Sequence, residues 1–140
     1  DGSDLWKTDV DGELACNMHR DPESGDLFIL AGIKDMVRLD DETGDQLWSV
    51  DLEGWVQGTG IAVDDNGVLY AAGALGRVYA VDPETGEQLW NHDLANQSND
   101  VTDEQFYAAP FVHDGKLYIG NENTYFYALN LVAPESAIEE

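Results

Sequence analysis

Basic residues are nearly missing from this chain. Six lysines and arginines stand against 29 aspartates and glutamates, a formal charge of −23 over 140 residues. Nucleic acids and anionic membranes are bound through basic patches, so neither is expected as a partner. Cysteine occurs once, at Cys16, which rules out an internal disulfide and leaves the redox compartment unread. No apolar run reaches the roughly 18 residues of a transmembrane helix. The chain opens inside a repeat without a leader pattern, so any leader is expected to have been removed or to lie outside it. His19, His92 and His113 lack the spacing of a metal site and read as surface or strand histidines. Gly-x-Ser-x-Gly, phosphate-loop and dinucleotide glycine patterns are also missing.

The acids form no tail. Asp21, Glu23, Asp26, Asp40, Asp41, Glu42, Asp64, Asp65, Asp82 and Glu84 sit in turns between apolar stretches, so they coat a folded surface. An apolar fraction of 43%, with four tryptophans and six tyrosines, is enough for a core. Like charges at this density destabilise a compact chain in dilute buffer. At about 1 M salt the Debye length shrinks to roughly 3 Å and the repulsion is mostly screened. The composition resembles that of proteins from extreme halophiles. A mesophilic acidic protein that binds a basic partner or calcium is the alternative.

The chain is organised around a unit that recurs. Residues 40–48 (DDETGDQLW) and 82–90 (DPETGEQLW) agree at seven of nine positions. A partial third copy, residues 5–10 (LWKTDV), matches LWSVDL at 47–52 and LWNHDL at 89–94, and Trp6, Trp48 and Trp90 fall 42 residues apart. In each unit a β-branched or aromatic strand enters a turn of Asp, Thr and Gly, and an apolar strand leaves it. A period in the low forties with several short strands per repeat is the signature of propeller blades, about 40–50 residues each.

The expected fold is therefore all-β: four-stranded antiparallel blades of a β-propeller, about three of them. Residues 1–10 hold a lone fourth strand, 11–52 one blade and 53–94 the next. Residues 95–130 form a three-stranded blade whose preceding connection is about six residues longer, and 131–140 a tail. In the first blade the second, third and fourth strands are read as 27–32, 36–40 and 46–52, with 11–26 as a connection that contains a short apolar piece at 14–16. Strand order is thus 4, 1-2-3-4, 1-2-3-4, 1-2-3. Residues 4–10 are expected to complete the blade of residues 109–130. This happens either between two copies that close a six-bladed ring, or as part of a longer chain of which these residues are a fragment.

Ala80-x-Asp82-x-x-Thr85-Gly86-x-x-x-Trp90 resembles the tryptophan-docking motif of PQQ-like (quinoprotein-type) propeller repeats. The first copy departs from it only in carrying Arg38 where alanine is usual. The resemblance covers nearly the whole chain. It implies that Trp6, Trp48 and Trp90 pack between blades, held by Asp40, Thr43, Gly44, Asp82, Thr85 and Gly86. The motif is structural and does not report activity. The family includes quinone-dependent alcohol dehydrogenases and non-catalytic, BamB-like envelope assembly factors. In the dehydrogenases the resemblance implies an adjacent cysteine pair and a calcium held by carboxylates and an amide. This chain has one cysteine, so no PQQ is expected. The run from Asp9 to Glu13 (DVDGE) opens like a calcium loop and breaks off, and Asp9 recurs as Asp51 and Asp93, which the repeat explains. No cofactor is expected, with calcium the alternative.

The function expected is that of a non-catalytic binding or scaffold module, outside the cell or in the envelope of a halophile. The alternative is a fragment of a quinone-dependent alcohol dehydrogenase. Asn96-Gln97-Ser98 is a glycosylation sequon that would suit an exported chain. Propeller ligands gather where connections between blades meet those between second and third strands. The candidate rim there is Lys34, Trp55, Gln57, Arg77, Asn96, Asn99, Asp103, Asn121 and Asn123. Trp55 lies outside the 42-residue register. It reads equally as a hot-spot aromatic or as ordinary packing.

Overall fold

The structure, a computed structural model, describes residues 1–14, 17–56, 59–73, 76–94, 108–120 and 125–131. Among them are eleven strands and no α-helix, arranged as three antiparallel sheets. The first sheet is β1 (His19–Arg20), β2 (Leu27–Ala31), β3 (Asp35–Leu39) and β4 (Gln46–Asp51), in that order. The second repeats it with β5 (Ile61–Val63), β6 (Leu69–Ala72), β7 (Arg77–Val81) and β8 (Gln88–Asp93). The third has β9 (Phe111–His113), β10 (Lys116–Gly120) and β11 (Phe126–Asn130). These are the blades of an all-β propeller fragment.

The sheets stack face to face because each middle strand is apolar on both sides. Leu27–Ala31 and Leu69–Ala72 are almost wholly buried, whereas β4 and β8 hold only half-buried and exposed positions, as outer strands do. Phe28, Leu30 and Met36 of the first sheet meet Leu69, Ala71, Tyr79 and Val81 of the second. Tyr70, Ala72, Val78 and Ala80, on the second sheet's other face, meet Leu117 and Ile119 of the third, with Tyr127 and Leu129 alongside. The remaining face of the first sheet, with Ile29, Ala31, Val37 and Leu39, is covered by Val10 and Trp6. The layers thus run amino-terminal segment, first sheet, second sheet, third sheet. The innermost strands approach one another most closely: Asn17 bridges Gly60, and a side chain placed on Gly60 would come within 2.7 Å of Ala109. The wedges converge there, so only small residues fit.

Two expectations are corrected. Residues 4–10 form no strand: no described third strand lies beside them to supply a ladder, and they are held against the first sheet by Trp6, Val10 and a hydrogen bond from the Gln46 amide to the Asp9 carbonyl at 3.4 Å. They lie beside the first sheet, two sheets away from residues 109–130. In addition, the first blade has an innermost strand, β1, inside the stretch read as connection. His19 pairs with Phe28 and Arg20 with Leu27.

Candidate functional site

Each Asp-x-x-Thr-Gly turn is built to receive an indole. The Asp40 carboxylate accepts the N–H groups of Glu42 and Thr43, both at 2.9 Å, and Asp82 does the same for Glu84 at 2.8 Å and Thr85 at 3.2 Å. The N–H groups of Gly44 and Gly86 close each turn on the Asp40 and Asp82 carbonyls at 2.9 Å. Thr43 and Thr85 accept the N–H groups of Asp45 and Glu87 through their hydroxyls. Both glycines have positive φ, 77° and 74°, and both lie under a tryptophan ring. A Cβ on Gly44 would come within 2.5 Å of Trp6, and one on Gly86 within 2.6 Å of Trp48. The indole N–H of Trp6 donates to the Asp41 carbonyl at 2.8 Å, and that of Trp48 to the Pro83 carbonyl at 2.9 Å. Each tryptophan therefore docks on the turn of the following sheet, in the role the repeat motif implies. Trp90 is half-buried, packs against the cluster between the second and third sheets, and meets Tyr70 at 5.8 Å. The turn that would receive it aligns with 130–134, of which 132–134 lie outside the described residues.

The first sheet carries an addition the second lacks. Arg38 stands where Ala80 stands, and Asp26 where Val68 stands. Arg38 Nε and Nη2 donate to one Asp26 carboxylate oxygen at 2.9 and 2.6 Å, with both side chains only 12% and 10% exposed. Arg38 Nη1 reaches across to the Pro83 carbonyl at 2.8 Å, and the guanidinium lies 5.5 Å from the Phe28 ring centre. Beside it a cleft of about 280 Å³ opens between the first two sheets, lined by His19, Asp21, Glu23, Asp64, Asp65 and Glu84 among others. This lining is acidic, so an anionic ligand is disfavoured.

The other end of the blades carries the candidate rim. Leu52 and Val56 are buried to 1% exposure and clamp the connection between the first two sheets. Leu52 N–H donates to the Lys34 carbonyl at 2.9 Å, and Val56 N–H to the Ile33 carbonyl at 2.8 Å. Trp55, between these anchors, is left 54% exposed, and Ile33 56% exposed. The Trp55 carbonyl lies against Gly73, whose N–H donates to the Arg77 carbonyl at 2.9 Å. The Tyr79 hydroxyl lies over Gly54. Ile33, Lys34, Trp55 and Arg77 thus belong to one continuous edge, with Ile33 joining it from the same connection as Lys34.

Lys34 forms an ion pair with Asp51 at 2.6 Å, which raises the lysine pKa and holds the Asp51 carboxyl below the usual range. Arg77 pairs with Asp93 at 3.5 Å. Burial pushes the Asp35 carboxyl up, helped by Asp51. Gln57, Asn96, Asn99, Asp103, Asn121 and Asn123 lie outside the described residues.

Residues 33–133 match the family described as outer membrane protein assembly factor BamB. The chain belongs to the PQQ-like repeat family. No curated protein matches it in sequence. Among solved structures, this PQQ-like chain is similar to BamB from Moraxella catarrhalis, with a TM-score of 0.70 and 18% identity over 93% of the chain and 37% of that structure. It is also similar to quinohemoprotein alcohol dehydrogenase from Comamonas testosteroni, with a TM-score of 0.72 and 21% identity over 86% of the chain and 20% of that structure. The quinohemoprotein alcohol dehydrogenase ADHIIG of Pseudomonas putida HK5 gives 0.74 and 23%, over 91% of the chain and 20% of that structure. The chain therefore spans between a fifth and two fifths of these proteins, and the likeness shows the fold. Among the described residues no three His, Cys, Asp or Glu side chains converge to hold a metal ion. No described helix is long and apolar enough to cross a membrane.

Proposed function

We propose that this PQQ-like chain is a non-catalytic binding or scaffold module of the cell envelope, and that it holds protein partners on the rim around Trp55. The observation that carries this reading is the exposure of Trp55 and Ile33 between buried anchors. Two large apolar side chains stand in water on an edge that also carries Lys34 and Arg77, in a chain that is otherwise acidic. The match to the outer membrane assembly factor family supports an envelope role. The acid excess supports a halophilic setting, where salt screens the chain's own charge. The test is affinity capture from a salt-rich envelope fraction with wild-type protein and a Trp55→Ala, Ile33→Ser variant. Loss of the captured proteins at unchanged melting temperature supports the rim. An unchanged set of bound proteins refutes it.

The likeness to two quinohemoprotein alcohol dehydrogenases favours a second reading, a fragment of such an enzyme. Saturable uptake of PQQ in the presence of calcium, with dye-linked oxidation of an alcohol, would favour it over the scaffold reading.

A further inference from the structure

We infer that the cleft between the first two sheets receives the arginine and lysine side chains of a basic segment of a partner protein, at the end of the blades opposite Trp55. Its charge is of one sign. Asp21 and Glu23 come from the turn before β2, Asp64 and Asp65 from the turn between β5 and β6, and Glu84 from the turn between β7 and β8. Among the described lining residues Arg38 is the sole lysine or arginine. Its charge is taken up by the buried Asp26 at 2.6 Å, with the 82% exposed Glu84 further off at 3.8 Å. The lining acids therefore outnumber the cations, and a low-dielectric cleft concentrates their field. Two of them are fixed in place. Asp64 accepts the N–H groups of Asn66 and Val68 at 2.9 and 3.0 Å and the Tyr70 hydroxyl at 2.8 Å. Asp21 accepts the N–H and hydroxyl of Ser24 at 2.8 and 2.6 Å, and these bonds hold its carboxyl below the usual range, so it stays charged.

The layout of the charge selects the occupant. The carboxylates are spread over three turns, and among the described residues no three converge on one point as a metal ion requires. Buried Phe28 and Leu69 line the same cleft, together with Pro83. A cation at the tip of a hydrocarbon stem fits that mixture, because the stem covers apolar surface while the head stays with carboxylates and water. The cleft already holds one such group. The Arg38 guanidinium lies 5.5 Å from the Phe28 ring centre and donates to the Pro83 carbonyl at 2.8 Å. At about 280 Å³ the cleft is below the roughly 300–1,000 Å³ of a site for a whole small molecule, so it suits a side chain. A second cleft of about 340 Å³ follows between the second and third sheets. It shares Asp64 and Asp65 and adds His113 and Asp114. Two acidic clefts at successive blade joints match a chain that presents several cations, so the occupant is a protein segment.

Binding of a short peptide of alternating arginine and glycine to the full chain, at about 1 M KCl, tests this. There the Debye length is roughly 3 Å, so diffuse attraction to a chain of charge −23 is screened while contacts inside the cleft persist. Saturable binding is expected, with the NMR signals of His19, which lines the cleft, shifting and those of His92, outside the lining, standing still. Glu23→Gln, Asp65→Asn and Glu84→Gln together, all at exposed positions, are expected to weaken binding at least about tenfold with the circular dichroism unchanged. Asp4→Asn, Asp9→Asn and Glu42→Gln, equally exposed and outside the lining, remove the same charge and are expected to weaken it less than about twofold. Equal losses in the two variants would mean attraction to the whole chain and overturn the inference. His19 signals that do not move, or no saturable binding at all, would overturn it as well. Free spermidine binding as tightly as the peptide would overturn it in favour of a small amine. The same peptide with citrulline in place of arginine, if it bound as tightly, would overturn it in favour of uncharged contacts.

Discussion

Arg38 and Trp48 lie opposite each other on β3 and β4 and converge on a single acceptor in the next sheet, the carbonyl of Pro83. Arg38 Nη1 reaches it at 2.8 Å and Trp48 Nε1 at 2.9 Å. A carbonyl has two lone pairs, so both bonds are made together. In the second sheet the equivalent pair is Ala80 and Trp90. The joint between the first two blades is therefore reinforced by a cation that the next joint lacks.

A buried ion pair is costly to break and cheap to replace whole. Arg38→Ala leaves the Asp26 carboxylate buried without its partner and is expected to cost about 3–5 kcal/mol. Combining it with Asp26→Val reproduces the Ala80 and Val68 of the second repeat and is expected to recover most of that loss, to within about 1–2 kcal/mol of wild type. Urea unfolding of the two single variants and the double variant, at constant salt, measures the coupling. Additive losses would show that the pair does not act as a unit.

The docked indole sets the second expectation. Trp48→Ala empties the space above Gly86 and is expected to cost about 3–5 kcal/mol. Trp48→Phe keeps most of the ring and gives up the bond to Pro83, for about 1 kcal/mol. Gly86→Ala drives a Cβ to 2.6 Å from the ring at φ 74°, so it is expected to cost more than about 1 kcal/mol although it adds apolar surface. Equal stability of the glycine variant in chemical denaturation would contradict the docking geometry.

Alkali and acid act on different groups. Burial raises the Tyr70 phenol pKa above 10.0, and its hydrogen bond to Asp64 at 2.8 Å adds to the shift. A folded pKa above the unfolded one gives stability that is full below pH 10 and is lost as pH rises further. Tyr70→Phe should therefore flatten the alkaline limb of a stability–pH curve. In acid, the N–H groups donated by Thr43 and Glu42 hold Asp40 below 3.8, and Ser24 does the same for Asp21. Their contribution is full above that value and fades as pH falls through the lowered ones. Asp35 runs the other way, because burial raises its pKa and the folded chain favours its protonated form. Asp40→Asn should soften the acid limb and leave the alkaline limb unmoved.

Salt is the fourth variable. Four of the five ion pairs among the described residues have an exposed partner, and the whole chain holds only 6 lysines and arginines against 29 acids. Surface pairs contribute about 0–1 kcal/mol each and cannot offset that excess. The melting temperature is expected to rise by about 10 °C or more between 0.1 and 2 M KCl as repulsion is screened. A melting temperature that does not move would remove the halophilic reading.

The period of 42 residues, the antiparallel blades and the role of the Thr-Gly turns were all legible in the chain itself. Trp48 and Gly86 act across a distance their own motif encodes: turn residues demand positive φ, and an indole in register demands a flat neighbour. β1 was not legible, because His19 and Arg20 are polar and only two residues long. They become a strand when Phe28 and Leu27 supply the ladder. Nor could the chain say that residues 5–10, so like β4 and β8, lack a sheet. Strand formation needs a hydrogen-bonded neighbour, and which neighbour is present is a fact of three dimensions. The exposure of Trp55 was undecided for the same reason. Only the burial of Leu52 and Val56, and the carbonyls of Ile33 and Lys34 that hold them, turn that ring toward water.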